Sequence, residues 1–274
     1  MDFEFSPRTA DLRRQVLEFM ERYIIPAMPR YASELAAGSR HPLVVEELKQ
    51  VARSEGLWNL FLPGLHDDEP GQRLSNLEYA PLAEIMGRVA WASEVFNCSA
   101  PDTGNMEILH LFATPGQREQ WLVPLLKGTI RSCFAMTEPE VAGSDPTLIE
   151  TRAVKDGDEW VVNGHKWFIS GARGAKFAIL IARTEEDPDI PQAGNSAFLV
   201  DIPSEGWEIV RDIHTMSGPS HNHCEIRITN LRVPKENILG GPGDGHRLGQ
   251  YRLGPARLAH CMRWIGQAET ALNM

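Results

Sequence analysis

Residues 131–147, RSCFAMTEPEVAGSDPT, change character halfway along. The first half alternates like a strand, with Ser132, Phe134 and Met136 on one face and Cys133, Ala135 and Thr137 on the other. Pro139 has no N–H and biases Glu138 away from helix, so the ladder is expected to stop there. Small residues follow, where backbone donors can approach something closely. A strand end of this kind suits a flat, acceptor-rich ligand or a phosphate. An ordinary edge strand running into a turn fits the same residues.

Outward from this stretch, three regions differ in period: 1–128, 129–240 and 241–274. The first reads as helical. Ser6-Pro7 is a helix start, with Leu12, Val16, Phe19, Met20 and Tyr23 along one face until Pro26 is expected to stop it. Pro42 opens a second helix with Val44, Leu48 and Val51 inward and Gly56 near its end. Leu82, Ile85, Met86 and Val89 mark another. Thr114-Pro115-Gly116-Gln117 has capping-box spacing ahead of Trp121, Leu122 and Leu125.

In the middle region the period falls to two. Asp156-Gly157 and Asn163-Gly164 both read as hairpin turns, and KFAILIAR, SAFLVDI, GWEIVRDI and CEIRITNLRV supply strands. The expected fold is α+β: an N-terminal helical domain, a central antiparallel β-sandwich or barrel, and the start of a C-terminal helical domain. In the last region Leu258, Cys261, Met262, Ile265, Ala268 and Leu272 form an apolar helical stripe up to Met274. That stripe is expected to pack on the upstream domains, on another subunit, or on a part outside this chain.

Composition narrows the partners. The chain has 274 residues and a formal charge of −10, which argues against nucleic acid and anionic membranes, though local Arg and backbone N–H groups can still hold phosphates. There is no apolar run of membrane-spanning length and no secretory signal in MDFEFSPRTADLRRQ, so a cytoplasmic protein is expected. Cys98, Cys133, Cys224 and Cys261 form no CxxC pair and read as reduced, mostly buried thiols.

Two tempting sites are set aside. His214, His221, His223 and Cys224 lack zinc-ligand spacing, and strand alternation sends Cys224 to the face opposite His221 and His223, so no metal is expected. GGPGDG at 240–245 follows a strand but misses G-x-G-x-x-G and has no βαβ unit around it. Glu138 is read as a solvated strand-end carboxylate.

With the strand end, the helical start, the β middle and the late helix together, the chain resembles the acyl-CoA dehydrogenase family. The resemblance rests on FAMTEPEVAGSD (134–145), NGHKWFISG (163–171), LRVP (231–234) and RLGPARLAHCMRWIGQAE (252–269), in the family's order. FNCSAPDTGNMEIL (96–109) and the extra residue between Pro139 and Gly143 look most like the branch acting on long-chain or 4-hydroxyacyl-CoA.

The resemblance implies FAD as cofactor, an acyl-CoA substrate, an electron-transfer flavoprotein or similar acceptor, and a homo-oligomer or hetero-oligomer. Phe134 and Met136 would flank the flavin ring, and Thr137 with nearby N–H groups would bond its polar edge. Ser144 falls where the family has a serine beside the FAD phosphates and the acyl-CoA. Phe168 takes the place of the aromatic that stacks on the flavin, Ser170 that of the hydroxyl near its hydride-accepting nitrogen, and Ile169 between them is a cofactor-binding residue as well. The implied reaction is α-proton abstraction with hydride transfer from the β carbon, giving a trans-2-enoyl-CoA.

Arg257 matches the family's supporting arginine near the substrate, but it stays protonated and cannot be a base. The usual catalytic carboxylate is expected beyond Met274, and where some relatives carry Glu before that Arg, this chain has Ala256. The expectation is therefore a truncated or split dehydrogenase, its base supplied by a C-terminal domain elsewhere. A non-catalytic flavin or acyl-CoA binding module and a same-fold flavin oxidase or monooxygenase are the alternatives.

Overall fold

The computed structural model describes residues 4–184, 194–216 and 223–274. It divides into two compact units, 1–103 with 253–274, and 104–252. The sequence regions change at 128 and 240 because they follow hydrophobic period, whereas the units follow contacts.

In the first unit, α1 (Pro7–Phe19) starts where expected, with Ser6 Oγ accepting from the Thr9 N–H and Leu12, Val16 and Phe19 buried. Pro26 does not stop the run. A π-helical turn over Met20–Ile24, closed by the Ile25 N–H on Met20 O, widens the backbone, and Pro26 falls in the first turn of α2 (Ile25–Ala36). There its missing N–H removes no hydrogen bond from the segment it opens. The same device recurs in the second unit, where a π turn over Arg118–Leu122 precedes Pro124.

The helix α3 (Leu43–Ser54) buries Val44, Val45 and Leu48, with Val51 only half-buried. A Ser75–Glu78 capping box opens α4 (Asn76–Gly87), whose Leu82, Ile85 and Met86 are buried. After α5 (Ala92–Val95), the 253–272 part of the late helix packs on α4. Two glycines make that crossing possible. A Cβ on Gly266 would stand 1.9 Å from Glu84 O, and one on Gly87 would stand 2.1 Å from Arg263 O. The Arg88–Glu269 pair at 2.9 Å and the Arg263 Nη1 bond to Cys98 O flank it.

This contact leaves the predicted stripe uncovered. Leu258 is 61% exposed, Ile265 51% and Leu272 86%, with Trp264 beside them at 62%. Apolar surface in one row on a helix favours association. Sedimentation of the purified chain should show mass rising with concentration, and Ile265→Glu should suppress that rise. A monomer across the whole range would contradict it.

The second unit contains α6 (Asp102–Phe112) from Gly104 on, α7 (Pro115–Gln117), α8 (Val123–Leu126) and the sheet. The Thr114–Gln117 capping box forms as the spacing predicts, and Gln117 Nε2 also bonds Glu236 O and Ile238 O. The strands are β1 (Ser132–Ala135), β2 (Arg152–Asp156), β3 (Glu159–Ser170), β4 (Phe177–Arg183), β5 (Asn195–Asp201), β6 (Trp207–Asp212), β7 (His223–Pro234) and β8 (Ile238–Leu239). Their order is β6-β7-β3-β2-β4-β5-β8, with β1 on β4.

The sheet curls around one core that draws Cys133, Ala153, Val162, Ile169, Leu180, Phe198 and Ile226 inward. It is not wholly antiparallel: β1 and β2 both run parallel to β4. The intervening β2–β3 hairpin supplies the crossover that β1 and β4 need.

Asp156-Gly157 turns that hairpin as predicted, with Gly157 at φ +63°. Asn163-Gly164 does not turn. It lies inside β3 at a bulge opposite β7, where Asn163 Oδ1 accepts from the Asn230 N–H. Gly164 is needed there for close approach, because a Cβ would meet Thr151 Oγ1 at 2.2 Å. Gly240–Asp244 link β8 to α9 (Gly245–Leu272), with Asp244 Oδ2 accepting from the Gly241 N–H.

Candidate functional site

Strand β1 ends at Ala135, four residues before Pro139. Cys133 and Ala135 point into the core, while Phe134 and Met136 are half-buried on the other face. Ser132 is buried as well, because Asn105 Nδ2 on α6 donates to Ser132 Oγ at 2.8 Å and to Cys133 O at 3.2 Å. Beyond Ala135 the chain runs beside β3. Thr137 O accepts from the Trp167 N–H at 3.0 Å and Met136 O accepts from Lys166 Nζ at 2.8 Å. The two motifs singled out in the sequence, 134–145 and 163–171, are thus brought side by side.

Lys166 Nζ also meets Glu138 Oε1 at 2.7 Å. Glu138 is not solvated: it is 2% exposed, and its carboxylate accepts from the Glu150 and Thr151 N–H groups as well. Burial alone would raise its pKa. The Lys166 charge and these hydrogen bonds outweigh burial and hold the carboxyl below the usual range.

A second bulge interrupts β3 between Lys166 and Ile169. Simple alternation would put Phe168 on the same face as Lys166. The bulge turns it out instead, at φ +52° and 43% exposed, while Lys166 and Ile169 stay buried. An aromatic residue with φ above zero is an outlier that the surroundings must enforce. The Phe168 ring lies edge-on to Trp167, 4.9 Å between centroids, and to His223, at 6.1 Å. Past the bulge, Ser170 Oγ is 2.8 Å from His223 Nδ1.

The loop after Pro139 closes on this place. Gly143 sits so near Thr137 that a Cβ would fall 2.6 Å from Thr137 Cγ2. Ala142, Gly143 and Ser144 are exposed, and Asp145 caps the next turn by accepting from Thr147, which holds its carboxyl below the ordinary range. His165 ties the loop to the sheet, with Glu140 Oε1 at 2.6 Å from Nδ1 and Glu225 Oε1 at 3.0 Å from Nε2.

Phe134, Met136, Thr137, Phe168 and Ser170 therefore share one unit, with Ser144 on the loop beside Thr137. The Ile169 side chain is core, so only its main chain is left to face a ligand. Arg257 lies on the part of α9 in the first unit and is exposed.

Sequence reasoning missed three neighbours. Arg252 stacks its guanidinium 4.2 Å above the Phe134 ring and donates from Nε to Asn105 Oδ1 at 3.0 Å. Its stem also lies against Gly104, where a Cβ would meet Arg252 Cγ at 2.8 Å. Glu107, on the same helix, is 8% exposed, and its Oε2 has no hydrogen-bond partner among the described residues. Burial pushes its pKa up to about 8, against the pull of Arg252. His223 is the third. It projects to Ser170, while Cys224 is buried beside Asp212, so the two face opposite ways as alternation predicts; His221 lies outside the described residues.

Residues 6–129 match the acyl-CoA dehydrogenase N-terminal domain, and residues 133–231 match the middle domain of the same family. The chain belongs to the acyl-CoA dehydrogenase family. Among family members, the Mycobacterium tuberculosis protein named probable acyl-CoA dehydrogenase FadE2 is 47% identical over 281 residues, spanning 100% of this chain and 68% of that protein. Mouse acyl-CoA dehydrogenase family member 10 is 46% identical over 98% of this chain, which corresponds to only 26% of that longer protein.

An acyl-CoA dehydrogenase family structure from Mycobacterium abscessus superposes with a TM-score of 0.91 at 42% identity, covering 99% of this chain and 69% of that one. Butyryl-CoA dehydrogenase from Megasphaera elsdenii gives a TM-score of 0.82 at 25% identity, covering 100% and 69%. No helix among the described residues is long and apolar enough to cross a membrane.

Proposed function

We propose that this chain carries the FAD and acyl-CoA scaffold of an acyl-CoA dehydrogenase. The observation that supports it best is the bulge that presents Phe168 beside the 134–138 strand end in a chain of this family. The residues present suit a flavin. Phe168 offers a flat apolar face, and Thr137 and Ser170 offer hydroxyls. Gly143 lets the loop approach Thr137 as no larger residue could.

In this reading Phe168 stacks on the ring, Phe134 and Met136 flank it, Thr137 bonds its polar edge, and Ser170 bonds it near the hydride-accepting nitrogen. Ser144 and nearby backbone donors serve phosphate, and the Ile169 main chain completes the strand behind the ring. Bound flavin supplies a hydride acceptor for the β carbon of an acyl-CoA. The protein's donors, fixed before the reaction, stabilise charge that develops on ring and thioester. An electron-transfer flavoprotein or similar acceptor, and assembly with further chains, belong to the same proposal.

The proton acceptor has no assigned residue here, since Ala256 stands where some family members carry Glu. That residue favours a second reading, a flavin or acyl-CoA binding module without turnover. Reduction of an artificial electron acceptor by long-chain and 4-hydroxyacyl-CoA substrates separates the two. A positioned base is worth roughly 10²–10⁴-fold, so turnover at that level supports the dehydrogenase, and FAD binding with no turnover supports the module.

Phe168→Ala and Ser170→Ala test the site itself. Lost stacking and one lost hydrogen bond should together weaken FAD affinity by about 2–3 kcal/mol. Titration of each variant with FAD measures this, and unchanged affinity in both would put the ring elsewhere.

A further inference from the structure

We propose that His223 is a positioning residue that sets the hydrogen-bonding polarity of the Ser170 hydroxyl toward the flavin; this rests on the flavin reading above. The observation is the 2.8 Å contact between Ser170 Oγ and His223 Nδ1, made across directly paired residues of β3 and β7. The Phe168 ring leans on the same imidazole, so one side chain supports both the stacking residue and the hydroxyl.

A serine hydroxyl has one donor and two acceptor positions, and an imidazole nitrogen is a donor or an acceptor according to its proton. With Nδ1 bare, Ser170 must donate to it, and the hydroxyl meets a ligand only as an acceptor. With Nδ1 protonated, the imidazole donates to Oγ, and the Ser170 proton turns toward the ligand.

The hydride-accepting nitrogen of oxidised flavin is a bare acceptor, whereas in reduced flavin it carries an N–H. The pair can therefore meet either form with matched polarity, which a serine with no partner does only by giving up a fixed orientation. Fixed donors are what makes such contacts effective, because no reorganisation remains to be done on binding.

The experiment is a double-mutant cycle on the purified chain, read as the dissociation constant of FAD by fluorescence titration. His223→Ala should weaken FAD binding by about 3- to 10-fold, the size of one net hydrogen bond. In a Ser170→Ala background the same change should cost clearly less, because only the lean of Phe168 on the imidazole is left to lose. His223→Asn, which keeps a polar atom near Nδ1, should restore most of the affinity and guards against an alanine variant that folds poorly.

Equal losses in both backgrounds, or no rescue by asparagine, would overturn the proposal and leave the flavin reading standing. A wild-type chain that binds no FAD would overturn both.

Discussion

Lys166→Met is expected to destabilise the second unit by about 3–5 kcal/mol, and Glu138→Leu by a similar amount. Lys166 is fully buried and Glu138 is 2% exposed, with 2.7 Å between Nζ and Oε1. Neither ion can recover water when its partner is removed, so each single change leaves an uncompensated charge in the core. The Glu138 carboxylate would still have two backbone donors, from Glu150 and Thr151. Lys166 would keep only the Met136 carbonyl.

The double variant should recover most of the loss, because two apolar side chains of similar volume need no pairing. Urea unfolding of the four proteins checks this. Two single variants that each lose less than about 1 kcal/mol would mean that water reaches the pair.

Stability alone understates the consequence. Lys166 bonds both the strand end, at Met136 O, and the first residue past it that can act as a counter-ion. Its loss should loosen the 134–138 segment against β3. Lys166→Met should therefore weaken FAD binding although Lys166 touches no ligand in this account.

The second large effect depends on pH. Glu107→Gln should stabilise the protein at neutral and alkaline pH and do little in acid. Burial raises the folded pKa of Glu107 from the ordinary 4.5 to about 8. A carboxyl whose folded pKa is raised binds more protons folded than unfolded between these values, so its ionisation costs stability progressively as pH rises through that window.

Glutamine cannot ionise and keeps the volume. The advantage of the variant should grow by on the order of 3 kcal/mol between pH 5 and pH 8, each pKa unit being worth about 1.36 kcal/mol. Urea midpoints of both proteins at the two pH values measure it. A constant difference would show that Arg252 or solvent neutralises the Glu107 charge.

Elements whose cause is local were legible in the sequence. The strand runs KFAILIAR and SAFLVDI, the Asp156-Gly157 turn and the Thr114–Gln117 capping box each depend on a few adjacent residues, and each formed. Misreadings came where a distant neighbour decides. Asn163-Gly164 has hairpin chemistry, but Thr151 behind it requires a glycine inside a strand. Pro26 looks like a stop because the π turn over Met20–Ile24 just before it leaves no mark in composition.

The site divides in the same way. Its motif residues, Phe134 to Ser144 and Phe168 to Ser170, are contiguous, so a family resemblance carries them. That Phe168 faces outward depends on a bulge against β7, which alternation cannot reveal. Arg252 and His223 come from α9 and β7, and only the fold brings them to the motif residues, while Glu107 of α6 is coupled to them through the charge of Arg252.

Direct flavin binding tests the central claim. Wild-type chain, purified in the presence of FAD and then freed of excess, is predicted to be yellow, to quench flavin fluorescence saturably, and to release FAD on denaturation. The Phe168→Ala, Ser170→Ala double variant should retain far less under the same treatment. A colourless wild-type chain that neither quenches added FAD nor releases any on unfolding would contradict the account.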